Sequence, residues 1–325
     1  MLILNDQEMV KSISYEELIE SAESALRVYE KGGFYQPERM IIDHKKGTLL
    51  LMPCFAESVF GTKIISLFPE NLKINFPVLR GLMILNNGET GEPLALLSGS
   101  KLTALRTAAV GSTSIRYLTP ESVRSLGIVG AGVQGYHQAL FANVVRKFKE
   151  LHLFDLSRKR AENLSKRLSK EIPSVKIQIS PDTEALVHKS DVIITATNSE
   201  SPVIPDDFEL LKEKHFVGIG SYKPFMKEYP PALFSVVEEV FIDTEHALKE
   251  SGDLIDPLKN KLLSKDRIFT LGKIVTGQMD RNAFVSKTTF FKSVGMALFD
   301  IMAARSIYEK AREKGLGFEI SLSED

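Results

Sequence analysis

Gly130-Ala131-Gly132-Val133-Gln134-Gly135 follows an apolar run, Leu126-Gly127-Ile128-Val129, and opens a segment of helical character that continues to Arg146. A second apolar run, Leu151 to Phe154, ends in Asp155, 20 residues beyond Gly135. Strand, glycine-rich turn, helix, strand and terminal acid, in that order, are the fingerprint of a dinucleotide-binding βαβ unit. Gly130 permits the tight turn. Gly132 lets backbone N–H groups approach a pyrophosphate at the helix start, where the helix dipole favours negative charge. Asp155 is expected to accept hydrogen bonds from the adenosine ribose, and its charge favours NAD over NADP by repelling a 2′-phosphate. Arg158, Lys159 and Arg160 lie just beyond and read either as a solvated helix start or as phosphate ligands, which keeps NADP open. A glycine-rich turn without a ligand is the plainer alternative.

The same alternation continues downstream. Val175 to Ile179, Asp191 to Thr195, Phe216 to Ile219 and Val240 to Ile242 read as strands, and Arg158 to Lys170 as a helix. This spacing predicts a parallel sheet covered on both faces. Ligands bind at the carboxyl ends of such strands, which singles out Thr195-Ala196-Thr197-Asn198 and Gly218-Ile219-Gly220-Ser221. Upstream, Ser14 and Glu17 form a capping box before Leu18, Ala22, Ala25 and Tyr29, and Gly32-Gly33 ends that helix. Short extended segments follow at Thr48 to Met52, Val59 to Ser66, Gly81 to Leu85 and Leu94 to Leu97, then a helix from Leu102 to Leu118. A last helix is expected to begin near Lys292, with Val294, Leu298, Ile301, Ala304 and Tyr308 on one face, and to stop at Gly315. Packed back on the first segment, it makes that domain discontinuous. The expected class is α/β: a Rossmann domain over residues 119–292, and an α+β domain made of 1–118 with 293–325.

The chain has 325 residues, of which 41 are basic and 42 acidic, and 43% are hydrophobic. That suffices for a full core and leaves no global field to recruit nucleic acid or an anionic membrane. No stretch approaches the ~20 apolar residues of a membrane span, and the N-terminus lacks the basic start of a secretory signal. The single cysteine, Cys54, excludes an internal disulfide framework and points to a reducing compartment, the cytoplasm. The histidines show no metal-binding spacing, so no metal is expected.

Three cations stand in or beside apolar segments: Arg39 after Gln36-Pro37-Glu38, Lys63 within Val59 to Ile65, and Arg106 within Leu102 to Val110. Singly, each reads as a surface or salt-bridged residue. Jointly, they read as a site converging on a carboxylate, which arginine clamps in bidentate fashion. A lysine held in a dry pocket among cations has its pKa lowered, which makes Lys63 the candidate for proton handling.

Six stretches carry a resemblance. They are Gly61-Thr62-Lys63-Ile64, Thr90-Gly91-Glu92-Pro93-Leu94-Ala95, Leu102-Thr103-Ala104-Leu105-Arg106-Thr107-Ala108-Ala109, Gly130-Ala131-Gly132-Val133-Gln134, Glu250-Ser251-Gly252-Asp253-Leu254 and Phe291-Lys292-Ser293-Val294-Gly295. Over nearly its whole length the chain resembles the ornithine cyclodeaminase/mu-crystallin family. The resemblance implies a homodimer in which one domain binds substrate and dimerises while a Rossmann domain holds NAD or NADP. It implies a small α-amino or α-imino acid as substrate. Position by position it implies that Arg39, Lys63 and Arg106 bind the carboxylate. It implies cofactor contacts from Gly130, Gly132, Val133, Gln134, Asp155, Thr197 and Lys227. It also implies that Gly218, Ile219, Gly220 and Ser221 line the nicotinamide side, and that Ser293 and Val294 close the site.

One departure bears on the reaction. Cyclodeaminases carry an aspartate for the substrate amine where this chain has Ser221, and the Pro-Asp of the mu-crystallin-like branch is Pro224-Phe225 here. The expected activity is therefore an NAD(P)-dependent reduction of a cyclic imine or α-imino acid, with Lys63 and Arg106 at the reacting centre and Ser221 orienting the amine or a water. Ornithine cyclodeamination and non-enzymatic binding of a small ligand are the alternatives.

Overall fold

The computed structural model describes residues 1–56, 58–74 and 76–321, with Leu72 described by its backbone alone. It divides into two compact units, Met1–Arg106 with Met296–Asp325, and Thr107–Gly295. Residues 322–325 of the expected discontinuous domain lie outside the described residues. The division falls inside the helix Gly99–Leu118, between Arg106 and Thr107, where the sequence reading put a boundary at its end.

The first unit is built on one eight-stranded sheet. Its strands are β1 (Leu2–Leu4), β2 (Phe34–Tyr35), β3 (Met40–His44), β4 (Gly47–Ala56), β5 (Val59–Leu67), β6 (Leu79–Asn87), β7 (Pro93–Ser98) and, from the chain's far end, β16 (Phe318–Glu319). The order is β16-β1-β7-β6-β5-β4-β2, with β3 also paired to β4. All pairings are antiparallel except that of β1 with β7. Strand β5 alternates strictly, with Val59, Gly61, Lys63 and Ile65 on the buried face. That face lies under the helix Ala297–Glu313, which packs on β4, β5 and β6 and in turn carries the helix Tyr15–Lys31. The latter has the expected capping box at Ser14 and Glu17, and it ends at Gly32 in the left-handed region, φ +70. A short helix, Asp6–Ser12, with its own box at Asn5 and Glu8, precedes it and was not anticipated.

The second unit is an eight-stranded, wholly parallel sheet. Its strands are β8 (Ser125–Val129), β9 (Glu150–Phe154), β10 (Lys176–Ile179), β11 (Val192–Thr195), β12 (His215–Gly218), β13 (Val240–Ile242), β14 (Ile268–Thr270) and β15 (Thr289–Lys292). The order β10-β9-β8-β11-β12-β15-β13-β14 reverses direction between β8 and β11. That reversal is the point at which open α/β sheets bind dinucleotides. The last helix starts at Ala297 rather than near Lys292, because Thr289–Lys292 is a strand. Four consecutive buried residues suit a central parallel strand, and Gly295, at φ +78, breaks the path into the helix. Among the described residues no helix is long and apolar enough to cross a membrane.

Candidate active site

In the second unit the turn after β8 is set by its glycines. Gly130 has φ +108, which side-chain-bearing residues rarely adopt, and a Cβ there would press on Ala196 O. Gly135 has no room for a Cβ against Gly130 O, so the helix Val133–Val145 packs tightly on the turn. Gly132 differs: a Cβ there would meet no heavy atom within 4 Å. Gly132 is also the helix N-cap and supplies no side-chain cap, so the first N–H groups of the helix point outward without one. Gln134 Oε1, in the same turn, is buried with no hydrogen-bond partner among the described residues. Val133 is exposed. Asp155 closes the arrangement. One carboxylate oxygen accepts from Ala131 N–H at 2.8 Å and the other from Ser157 N–H at 2.8 Å. An uncapped helix end, an open glycine and a fixed carboxylate at a strand terminus fit a dinucleotide.

Two further loops at strand carboxyl ends are tied together by Glu228. Its Oε1 accepts from Thr197 N–H at 2.7 Å and from Thr197 Oγ1 at 2.8 Å. Its Oε2 accepts from Gly220 N–H at 2.8 Å and Ser221 N–H at 3.2 Å. Burial raises the Glu228 pKa, and the nearby Lys292 ammonium opposes that rise. Lys292 is fully buried, with Nζ 3.5 Å from Asp253 Oδ2. Asp253 Oδ1 in turn accepts from the backbone N–H groups of Glu228 and Tyr229, at 2.7 and 3.1 Å. A Cβ at Gly220 would collide with Thr197 O and crowd Glu228, so glycine is required where the two loops meet.

Ser221 is fully buried, and its hydroxyl donates to Met226 O at 2.6 Å and lies 2.8 Å from Ser251 Oγ. Ile219 is buried beyond β12. Lys227 forms an ion pair with Asp256. The Ser293 hydroxyl donates to Asp243 Oδ2 at 2.7 Å, which also takes the Val294 and Gly295 N–H groups at 3.0 and 2.7 Å.

In the first unit, Lys63 and Arg106 meet on a carboxylate that sequence reasoning missed. Lys63 Nζ donates to Asp300 Oδ2 at 2.7 Å, and Arg106 Nε donates to Asp300 Oδ1 at 3.0 Å. All three are buried. Arg39, half-buried, lies close enough for its charge to act on Lys63. Burial pulls the Lys63 pKa down to about 8; Asp300 opposes that fall, while Arg106 and Arg39 add to it. On the adjoining strand, burial beside Asp300 pushes the Cys54 thiol up to about 12, so it stays neutral. A signal for Asp300 existed: it is a lone acid in Ala297-Leu298-Phe299-Asp300-Ile301-Met302-Ala303, as conspicuous as Arg106 in its own apolar helix.

The profile of the ornithine cyclodeaminase/mu-crystallin family matches residues 1–315. A Delta(1)-pyrroline-2-carboxylate reductase of Bacillus thuringiensis subsp. konkukian is 33% identical over 328 aligned positions, covering 98% of this chain and 99% of the relative. The solved structure of the Thermococcus litoralis Delta(1)-pyrroline-2-carboxylate reductase, in complex with NADH and L-proline, superposes with a TM-score of 0.91. It is 32% identical, over 98% of this chain and all of that one. An archaeal alanine dehydrogenase dimer with bound NAD superposes at 0.90 with 27% identity, over 99% of each chain.

Proposed function

The chain belongs to the ornithine cyclodeaminase/mu-crystallin family, and from that premise we propose that it is an NAD-dependent reductase of a small cyclic imine or α-imino acid of the pyrroline-2-carboxylate class. The observation that supports this most is the cation cluster of the first unit. Lys63 Nζ and Arg106 Nε are anchored on Asp300, and among the described residues no protein group accepts from the two terminal nitrogens of Arg106. Those nitrogens suit a substrate carboxylate, with Arg39 adding charge. NADH, when bound at the glycine turn and Asp155, supplies a hydride for the imine carbon. As the C=N pair moves to nitrogen, Lys63 gives that nitrogen a proton, and the product is the secondary amine with its carboxylate still on Arg106. Gly132, Val133 and Gln134 hold the pyrophosphate side, while Thr197 and the Gly218–Ser221 loop hold the nicotinamide side.

The carboxylates near Ser221 support a reductase over a cyclodeaminase. Ser221 bears no charge, and Glu228, the next acidic residue along the chain, spends both oxygens on four donors of two loops. Neither is left to take a substrate ammonium. The protein acts as a homodimer in this reading. The exposed Met40 and Ile42 of β3 and Phe55 of β4, which share one face of the sheet, support an apolar contact face, as does the dimeric archaeal relative. A panel of cyclic imines, α-imino acids and amino acids with NADH and NADPH, read by the absorbance of the reduced nicotinamide, tests the assignment. Turnover of pyrroline-2-carboxylate with NADH is expected. No turnover of any imine contradicts it.

A further inference from the structure

We propose that Asp300 is a positioning residue, holding the Lys63 ammonium and the Arg106 guanidinium in fixed places so that Lys63 aims its proton at the imine nitrogen and Arg106 keeps its two terminal nitrogens for the carboxylate. This rests on the imine-reductase reading and deepens it. The geometry carries the argument. A single carboxylate, itself fully buried, takes one donor on each oxygen, at 2.7 Å from Lys63 and 3.0 Å from Arg106. The two donors come from different elements, Lys63 from β5 and Arg106 from the helix Gly99–Leu118, and the acceptor from the helix Ala297–Glu313. Side-on engagement through Nε is what leaves the outer edge of a guanidinium for a second carboxylate. Of the three N–H bonds on Lys63, one is spent on Asp300, and the structure shows no other acceptor for Nζ among the described residues.

The charge balance points the same way. Lys63 is faced by Asp300 from the last helix, Arg106 from the Gly99–Leu118 helix and Arg39 from the segment before β3, while the Cys54 thiol on β4 is neutral. Among the charges that act on Lys63, Asp300 is the anion that offsets Arg106 and Arg39. A substrate carboxylate brings a second anion; without Asp300, Lys63 and Arg106 would repel each other and Lys63 would surrender its proton at lower pH. Asp300 touches neither the reacting atoms nor, on this geometry, the substrate. It acts through Lys63 and Arg106.

The full-length protein, labelled with 15N-lysine, tests this without relying on turnover. Lys63 Nζ is assigned with the Lys63→Arg variant, and its titration is followed in the wild type and in Asp300→Asn, beside the pH profile of kcat with pyrroline-2-carboxylate and NADH. In Asp300→Asn, Lys63 is expected to lose its proton at a pH lower by about one unit or more, and the alkaline fall of kcat should move with it. NADH affinity, measured by fluorescence, should stay within about threefold of wild type, because the glycine turn and Asp155 are untouched. Asp300→Glu keeps the charge and is the variant to read if the asparagine protein does not fold. Its alkaline limb should stay within about half a pH unit of wild type. A uniform loss of kcat with both the Lys63 titration and the alkaline limb unmoved in Asp300→Asn would make Asp300 merely structural. A limb displaced in Asp300→Glu by a unit or more overturns the proposal equally. A wild-type protein that binds NADH and reduces no imine counts against the reductase reading instead, while the Lys63 titration still decides the role of Asp300.

Discussion

Asp155 accepts the Ala131 amide proton at 2.8 Å, so the carboxylate at the end of β9 fixes the glycine turn that follows β8. One residue therefore shapes the glycine turn and, in the proposed cofactor site, presents its negative charge to the ribose. NADH should bind more tightly than NADPH, and Asp155→Ala should narrow or reverse that preference while weakening NADH itself. The loss corresponds to a hydrogen bond to a charged group, about 1.5–3 kcal/mol. Fluorescence titrations of both cofactors check it. Equal or tighter NADPH binding by the wild type would instead promote Arg158 to a phosphate ligand.

In the proposed mechanism Arg106 bears on substrate and not on cofactor. Arg106→Ala should lower kcat/KM for a carboxylate-bearing imine by the equivalent of ~2–5 kcal/mol, the cost of removing one partner of a buried charged pair. NADH affinity should be largely retained. Steady-state kinetics and a cofactor titration on the same preparation separate the two. Near-wild-type turnover would mean that Arg106 serves only to satisfy Asp300.

In the proposed mechanism Lys63, as proton donor, sets the pH dependence. Burial draws its pKa down to about 8, so the protonated form that donates to the imine nitrogen is lost as pH rises through that value. Reductive kcat should therefore be level below about pH 8 and fall above it, and oxidation of the amine should rise over the same range. A reductive profile that stays flat to pH 10 would remove Lys63 as the donor, with about 1% of it still protonated there.

His215 makes a separate prediction about stability. Its ring lies buried between Ser114 Oγ, 3.1 Å from Nε2, and Thr289 Oγ1, 2.8 Å from Nδ1, and burial drives its pKa down to about 3. The unfolded chain takes up a proton near pH 6.5, which the folded protein refuses until far lower. Stability is thus full above about pH 6.5 and is lost as pH falls, by about 1.4 kcal/mol per unit until the folded ring protonates. Chemical denaturation between pH 7 and 4 measures the slope. A His215→Gln variant should show a shallower slope, and an unchanged one would assign acid lability elsewhere.

Much of this was legible in the sequence, for reasons that differ by residue. The glycine turn and Asp155 were readable because close backbone approach and a terminal carboxylate leave a local pattern with fixed spacing. Strand β5 was readable as an extended segment from Val59 to Ser66, but its buried face was not, because Gly61 and Lys63 point inward while Phe60 and Ile64 lie on the other face. The pairing of Lys63 with Asp300 was not, since 237 positions separate them and no local rule spans that gap. Strand β15 was missed because Phe290-Phe291 adjoins Lys292, and a charge beside a short apolar run reads as the start of an amphipathic helix. It is buried instead beside Asp253. Ser221 was expected to face a ligand from its position after β12, yet its hydroxyl is turned to Met226 O and Ser251. Sequence position fixed the loop and left the rotamer open.

The most direct test of the central claim is a product assay run in two arms on one preparation. Pyrroline-2-carboxylate with NADH should give proline in step with loss of the reduced nicotinamide. Ornithine with NAD should give no ammonia above background, because Ser221 is uncharged and Glu228 is committed to Thr197, Gly220 and Ser221. Equal amounts of proline and ammonia from ornithine, with no net change in nicotinamide and at a rate above that of imine reduction, would contradict the reductase assignment.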